Sequence, residues 1–315
     1  MKKIAVLNDY QNVALKSADW SAVAPKAEIT VFNDHLDNAD TLIERLGPFD
    51  AICVMRERTP LTRAIIEKLP HLSFISTTGA KNASIDLDAA REFGIPVSST
   101  GGNGTGTPEL TWALILAAAR QIPTEAASLR SGGWQESVGR DLAGSTLGII
   151  GLGRIGRQVA KVGLAFGMKV IAWSQNLTEE AANAAGVVRV DKPALLRDAD
   201  WVTLHLVLSD RTKNIIARDE LALMKQTAWL VNTSRGPLVD ETALIDALNS
   251  GSIEGAALDV FNREPLPEGH PFATLANVIA TPHIGFVTQN SYEIFYRDTV
   301  ENLLAWLDGA PIRML

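Results

Sequence analysis

Short, nearly uninterrupted apolar runs alternate with amphipathic stretches along most of the chain. Ile4 to Leu7, Ile29 to Phe32, Ala51 to Met55, Leu72 to Ser76 and Ile95 to Val97 read as strands, and the segments between them carry helical spacing. Strands alternating with helices in this way predict a mostly parallel sheet covered on both faces. The alternation breaks at Gly101-Gly-Asn-Gly-Thr-Gly106, where a domain boundary is expected. Thr107 and Pro108 then supply an N-cap and a first helical residue, predicting a helix from about Pro108 to Arg130. That helix is apolar on nearly every face through Leu110, Trp112, Leu114, Ile115 and Leu116, so it must be covered on more than one side, in a core or a subunit interface.

The alternation resumes with strands expected at Lys169 to Trp173, Trp201 to Leu206, Ala228 to Asn232, Gly255 to Leu258 and Val278 to Ala280. Two doubly wound α/β domains follow, one of residues 1–100 and one of residues 101–287. The last segment, Ser291 to Asp308, has helical spacing at Ile294, Phe295, Val300, Leu303, Leu304 and Leu307, and residues 288–315 are expected to rejoin the first domain. A length of 315 residues suits two domains, and 46% hydrophobic with 21% charged residues describes a globular chain with real cores. A formal net charge of -7 argues against a nucleic-acid partner. The apolar run after Met1-Lys2-Lys3 is too short for a signal-peptide core, and no run approaches the roughly 20 residues that span a bilayer, so no membrane association is expected. The single cysteine, Cys53, lies in a strand-like run and excludes disulfides and thiolate metal clusters; it reads as a core residue in a reducing, cytoplasmic setting, and no metal site is expected.

The most informative chemistry lies in Ser145-Thr-Leu-Gly-Ile-Ile-Gly151-Leu-Gly153-Arg154-Ile155-Gly156, a strand running into a G-x-G-x-x-G turn that opens a helix. Gly151 permits the tight turn, Gly153 lets a pyrophosphate approach the backbone, and Gly156 lets helix pack closely on strand. A Rossmann-type unit holding a dinucleotide is therefore expected. About 20 residues on, where a carboxylate would grip the adenosine ribose of NAD, Trp173-Ser174-Gln175-Asn176 offers only neutral groups. No cation follows to welcome a 2′-phosphate, and Glu179 and Glu180 would mildly repel one. NAD is the expected cofactor, with NADP left open.

Three tracts complete the picture: Val231-Asn-Thr233-Ser-Arg235-Gly236, Ala257-Leu-Asp259-Val-Phe-Asn-Arg-Glu264-Pro265 and Thr281-Pro-His283-Ile-Gly285. Singly, each reads as easily as a loop residue or a turn. Their order after the glycine turn, with the Asp200 to His205 strand, Gly236 to Asp240, Ile85-Asp86 and Gly94-Ile-Pro-Val97, resembles the D-isomer-specific 2-hydroxyacid dehydrogenase family over nearly the whole chain. The resemblance implies a hydride transfer between a nicotinamide cofactor and C2 of a small 2-hydroxy or 2-oxo acid, with glyoxylate and hydroxypyruvate as plausible substrates. Elementary chemistry agrees: the reaction needs a base, a group that orients it and a cation for the substrate carboxylate, which His283, Glu264 and Arg235 would supply. A carboxylate beside an imidazole favours imidazolium, and an arginine fork pairs bidentately with a carboxylate.

The same resemblance implies a flavodoxin-like substrate domain and an active site between the domains. It places Asp259 and Thr233 near the nicotinamide amide, backbone groups of Arg154 and Ile155 at the pyrophosphate, and Thr78-Gly79-Ala80 as a backbone nest for the substrate carboxylate. Arg56 and Lys81 are candidates for the same lining, whereas His205, within a strand, is expected to be structural or cofactor-adjacent. Three positions depart from the family pattern: Ser174 replaces an acidic residue, Val207 a proline and Phe286 a glycine. A nucleotide-sensing corepressor with little turnover is the rival reading, and the apolar Pro108 to Arg130 helix points to a homodimer.

Overall fold

The structure, a computed structural model, describes residues 1–315 and divides into two compact units, Met1–Asn103 with Val287–Leu315, and Gly104–Phe286. In the first unit the strands are β1 (Lys2–Val6), β2 (Ala27–Val31), β3 (Ala51–Val54), β4 (Phe74–Thr77) and β5 (Val97–Ser98), with helices α1 (Ala39–Leu46), α2 (Arg63–Ile66) and α3 (Leu87–Glu92) between them. All strands pair in parallel in the order β2-β1-β3-β4-β5, the flavodoxin-like arrangement. β3 and β4 are buried at every residue, as central parallel strands with both faces covered must be. Cys53 lies within β3, where burial pushes its thiol up to about 12, so it is an inert core residue.

The second unit opens with α4 (Gly106–Ala119) and α5 (Ile122–Arg130), then β6 (Thr146–Ile150), α6 (Arg154–Ala165), β7 (Lys169–Trp173), α7 (Glu179–Asn183), β8 (Val188–Arg189), α8 (Lys192–Asp198) and β9 (Trp201–Leu204). It continues through α9 (Arg218–Leu223), β10 (Trp229–Asn232), α10 (Glu241–Ser250), β11 (Gly255–Leu258) and β12 (Val278–Ala280). Its seven strands are all parallel, ordered β12-β11-β10-β9-β6-β7-β8. The winding reverses between β6 and β9, so a crevice opens where their carboxyl ends diverge. The last helix, α11 (Gln289–Leu307), belongs to the first unit; its Trp306 stacks on Phe74 of β4 at 5.2 Å, and Asn302 donates to the Ser99 carbonyl at 2.9 Å.

Two elements differ from the sequence reading. The helix expected over 108–130 is two helices, because Gln121 takes a left-handed φ of 52° and Pro123 in the next turn cannot donate a backbone hydrogen bond. α4 also starts earlier, at Gly106 after Thr105, so Thr107 is not its N-cap; its hydroxyl donates instead to the Gly285 carbonyl at 3.3 Å. α4 is a core helix: Trp112, Leu114 and Ile115 are buried with Leu147, Ile149, Val159 and Val231. The exposed apolar side chains lie beyond the break, on α5 and the segment after it.

Candidate active site

The glycine turn occupies the reversal point. Gly151 has a φ of 105°, a conformation that L side chains avoid, and a Cβ there would lie 2.6 Å from the His205 carbonyl oxygen after β9. A Cβ on Gly156 would meet the Gly151 carbonyl at 2.1 Å, so helix and strand touch through bare backbone. A Cβ on Gly153 would meet nothing within 4 Å, and that open space lies at the start of α6. α8 and α10 are capped by the side chains of Asp191 and Asp240, but α6 has no capping side chain. The N–H groups of its first turn, including those of Arg154 and Ile155, lack intrahelical partners and lie beside room for an anion. A dinucleotide pyrophosphate fits this cradle. Ser174, at the end of β7, faces the turn: its Oγ accepts the Leu152 N–H at 3.0 Å.

Farther along the same sheet edge, the loops after β10, β11 and β12 carry the other candidates. Arg235 follows β10 and precedes a tight turn at Gly236, where a Cβ would lie 2.1 Å from the Phe261 carbonyl carbon. Only glycine lets the loop after β11 approach that closely. Asn232, 1% exposed, holds the Arg235 turn by donating to the Arg235 carbonyl at 2.9 Å and accepting the Ser234 N–H at 3.0 Å. Asn232 was missed in the sequence, although an asparagine closing a strand before Thr-Ser is a recognisable Asx-turn signal. Arg235 is half-buried, and its Nη1 donates to the Ser234 carbonyl at 2.7 Å.

Glu264 and His283 are brought together. Nδ1 of His283 and Oε2 of Glu264 are 2.5 Å apart, and Oε1 of Glu264 accepts the Phe261 N–H at 2.9 Å. Both carboxylate oxygens are thus fixed, and the imidazole they orient keeps Nε2 for other partners. His283 has a φ of 51°, a backbone state disfavoured outside glycine. Its loop is held by Asp259, which is 1% exposed: Oδ1 accepts the Thr281 hydroxyl at 2.7 Å and the Ile284 N–H at 2.8 Å, and Oδ2 accepts the Gly285 N–H at 2.8 Å. Burial pushes the Asp259 carboxyl above the ordinary carboxylate range, while these three donors pull the other way. Asp259 is therefore committed to the His283 loop. Phe286, which the sequence marks only as a departure from the family pattern, sets its ring edge-on to His283 at 5.4 Å and 82°.

Thr233 is buried, and its Oγ1 lies 2.8 Å from Oγ1 of Thr111 on α4. His205 meets Thr203 Oγ1 at 3.0 Å through Nε2, and burial pushes its imidazole down to about 3, so it is neutral and no proton donor at neutral pH. In the first unit, the turn after β4 is narrower than its sequence implied. The Thr78 N–H donates to the Val54 carbonyl at 3.1 Å and the Gly79 N–H to Thr100 Oγ1 at 2.7 Å, so both are spent inside the fold. Ala80, at the end of that turn, is exposed. Arg56 packs its guanidinium over Gly79, where a Cβ would sit 1.8 Å from Nη1, while Lys81 is exposed. No group of histidine, cysteine, aspartate and glutamate side chains is arranged to hold a metal.

A family model described as D-isomer specific 2-hydroxyacid dehydrogenase, NAD binding domain, matches residues 112–285. The chain belongs to the D-isomer specific 2-hydroxyacid dehydrogenase family. The match falls within the second unit, which is thus this family's NAD-binding domain. A D-3-phosphoglycerate dehydrogenase of Methanocaldococcus jannaschii is 44% identical over 256 residues, 80% of this chain and 48% of that protein. The chain spans about half the length of that relative. A glyoxylate reductase of Aeropyrum pernix is 40% identical over 281 residues, covering 86% of this chain and 83% of the relative. Among solved structures, a phosphoglycerate oxidoreductase from Vibrio cholerae superposes with a TM-score of 0.93 at 39% identity, over 98% of this chain and 100% of that one. A D-lactate dehydrogenase from Aquifex aeolicus, complexed with NAD and lactic acid, gives 0.80 at 28% identity, over 97% and 96%. No helix is long and apolar enough to cross a membrane.

Proposed function

We infer that this protein transfers a hydride between NAD(H) and C2 of a small 2-hydroxy or 2-oxo acid, of the D-isomer where C2 is chiral, with glyoxylate or hydroxypyruvate as substrate. The observation that carries this reading is the 2.5 Å His283–Glu264 pair on the sheet edge that holds the glycine turn. Bound at that edge, the nicotinamide supplies or takes up the hydride. His283 Nε2 gives a proton to the C2 oxygen during reduction and removes it during oxidation. Glu264 holds the ring so that Nδ1 carries its hydrogen toward Oε2, and its negative charge compensates the imidazolium. Arg235 anchors the substrate carboxylate and polarises the C2 oxygen. Asp259 keeps His283 in its strained backbone state, and Thr233 and Asp259 would hold the carboxamide of a bound nicotinamide.

The test is a panel of glyoxylate, hydroxypyruvate and pyruvate assayed with NADH, on the wild type and on His283→Gln. Turnover of at least one 2-oxo acid, lost in His283→Gln while NADH binding persists, is the expected result. Tight NADH binding with no turnover of any of them would overturn the enzyme reading in favour of a nucleotide sensor. A cytoplasmic setting fits the unpaired, buried Cys53, and the net charge of -7 fits a protein without a nucleic-acid partner.

The homodimer suggested by the 108–130 segment rests best on its second half, α5, and the residues just after it. Ile122, Leu129, Trp134 and Val138 are 51%, 61%, 76% and 95% exposed, an unusual density of bare apolar side chains. Trp134 also lines a groove of about 520 Å³ with Ile122, Ala126 and Leu129. Bare apolar side chains on one face suit a twofold axis, each indole packed against the other copy's Ile122, Leu129 and Val138. Light scattering on Trp134→Glu should give a monomer where the wild type gives a dimer; a wild-type monomer overturns this reading.

A further inference from the structure

The start of α4 reaches the carboxyl edge of the second sheet and touches two of its loops at once. Thr107 and Thr111, one helical turn apart, lie on the same face of the helix. Thr107 Oγ1 donates to the Gly285 carbonyl at 3.3 Å, and a Cβ on Gly285 would lie 3.4 Å from that hydroxyl and 3.7 Å from Leu110 Cδ2. The loop just past His283 therefore rests against the first turn of α4. Thr111 Oγ1 donates to the Thr107 carbonyl at 2.8 Å and lies 2.8 Å from Thr233 Oγ1, just before Arg235. A hydroxyl has a single hydrogen, and that of Thr111 is spent on the Thr107 carbonyl, so Thr233 is the donor in the hydroxyl pair. Thr111 is 0% exposed and Thr233 5%, so bulk water replaces neither partner. The line from Thr233 through Thr111 and Thr107 to Gly285 thus ties the loop after β10 to the loop after β12, strands that β11 separates. Asn232 braces the first of these loops from within and Asp259 braces the second from β11; α4 joins the two. It is a firm reference, because Trp112, Leu114 and Ile115 bury its next turns in the core.

We propose that Thr111 is a positioning residue for hydride transfer: as the buried acceptor for Thr233, it sets where Arg235, which grips the substrate carboxylate, stands relative to His283, which exchanges the proton at the C2 oxygen. This rests on the function proposed above. Both groups must meet one small substrate at once, and a misplacement of about 1 Å is enough to cost about a hundredfold in rate. Thr111→Val keeps the side-chain shape and removes the acceptor, so the buried Thr233 hydroxyl is left to seek another partner and shifts the loop that carries Arg235. Thr111→Ser keeps the acceptor and loses a buried methyl group, which lowers stability. The two substitutions therefore separate positioning from packing.

The experiment is steady-state reduction of glyoxylate and hydroxypyruvate by NADH well below every Tm, with NADH titration and thermal melts alongside. It compares the wild type, Thr111→Val, Thr111→Ser, Thr107→Val and the double variant Thr107→Val with Thr111→Val. In Thr111→Val, kcat is expected to fall about tenfold while the Kd of NADH stays within about threefold of wild type. Thr111→Ser keeps kcat within about threefold although it melts lower than the wild type. Thr107→Val loses about three- to tenfold in kcat, and the double variant is no slower than Thr111→Val, because a line cut once is already cut. Equal kcat in wild type and Thr111→Val, a loss in Thr111→Ser as large as in Thr111→Val, or losses at 107 and 111 that multiply overturns the proposal. A wild type that reduces no 2-oxo acid overturns the hydride-transfer reading and this proposal with it.

Discussion

Replacing Glu264 by glutamine removes one charge and turns one acceptor into a donor, in a site where both oxygens are in use. Oε1 accepts the Phe261 N–H at 2.9 Å and Oε2 faces His283 Nδ1 at 2.5 Å. The amide can satisfy only one of them. If its oxygen serves His283, its NH2 confronts the Phe261 N–H, and a stranded backbone donor costs about 1–3 kcal/mol. If its oxygen serves Phe261, its NH2 donates to Nδ1, which moves the ring hydrogen to Nε2 and disables the base. A charge-assisted hydrogen bond of about 1.5–3 kcal/mol also falls to a neutral one of about 0.5–1.5 kcal/mol. Together these put the loss in the transition state at about 2–4 kcal/mol, or roughly 30- to 1000-fold in kcat. The assay is steady-state reduction of glyoxylate or hydroxypyruvate by NADH, with NADH affinity measured in parallel and expected to hold, since Glu264 makes no contact with the glycine turn. The double variant Glu264→Gln with His283→Gln should be no slower than His283→Gln alone, because Glu264 acts through the ring. A kcat within threefold of wild type, or two effects that simply multiply, would refute this assignment.

The glycine turn offers a matched pair: Gly153→Ala should fold with an unchanged Tm yet lose NADH binding, because its Cβ meets no protein atom within 4 Å, whereas Gly156→Ala should lose stability, its Cβ lying 2.1 Å from the Gly151 carbonyl. Calorimetry with fluorescence titration checks both. Asp259→Asn strands at least one of three buried donors and should cost about 1–3 kcal/mol, a few degrees in Tm for a unit of this size, with a fall in kcat as the His283 loop relaxes. His205 is held neutral by burial, down to about 3 against an ordinary 6.5, so the unfolded chain binds a proton in that window that the native state does not. Stability should therefore fall as pH drops below 6.5, by at most about 1.4 kcal/mol per unit, and His205→Gln should flatten that limb in thermal melts recorded from pH 7 to pH 4; an unchanged slope would remove His205 from the account.

The parallel architecture was legible because strands buried on both faces must be largely apolar, and the runs through Ala51–Val54 and Trp229-Leu230-Val231 leave no polar face to confuse the reading. β8 was not legible: Val188–Arg189 is a two-residue exposed edge strand, too short to show any period. The break in the 108–130 helix was hidden by apolar residues that run past it, and only Pro123 signals the interruption. The candidate site was legible as residue types in an order. Its bonds were not, because the meeting of Glu264 with His283, or of Asp259 with the Ile284 and Gly285 N–H groups, depends on loop paths that no local period encodes. Gly79 shows the opposite error, since a small-residue turn looks like an anion nest until Thr100, twenty-one residues on, takes its N–H.

The sheet order itself adds an argument that the motifs alone do not make. Gly151 follows β6, His205 β9, Arg235 β10, Asp259 β11 and His283 β12, and these five parallel strands lie side by side in that same order. Their carboxyl ends share one edge, so distance along the sequence becomes distance along a row of strands spaced about 4.8 Å apart. Four steps put the end of β12 about 19 Å from the end of β6, and the hold of Asp259 on the 281–285 loop draws His283 back toward the third step, about 14 Å away. A ligand that rests its phosphates on the glycine turn and presents a reacting carbon to His283 must be extended along that edge. A dinucleotide whose pyrophosphate rested on the turn would send its adenosine half toward β7 and Ser174 and its nicotinamide half across the ends of β9 and β10, past Thr233 and Arg235, toward His283.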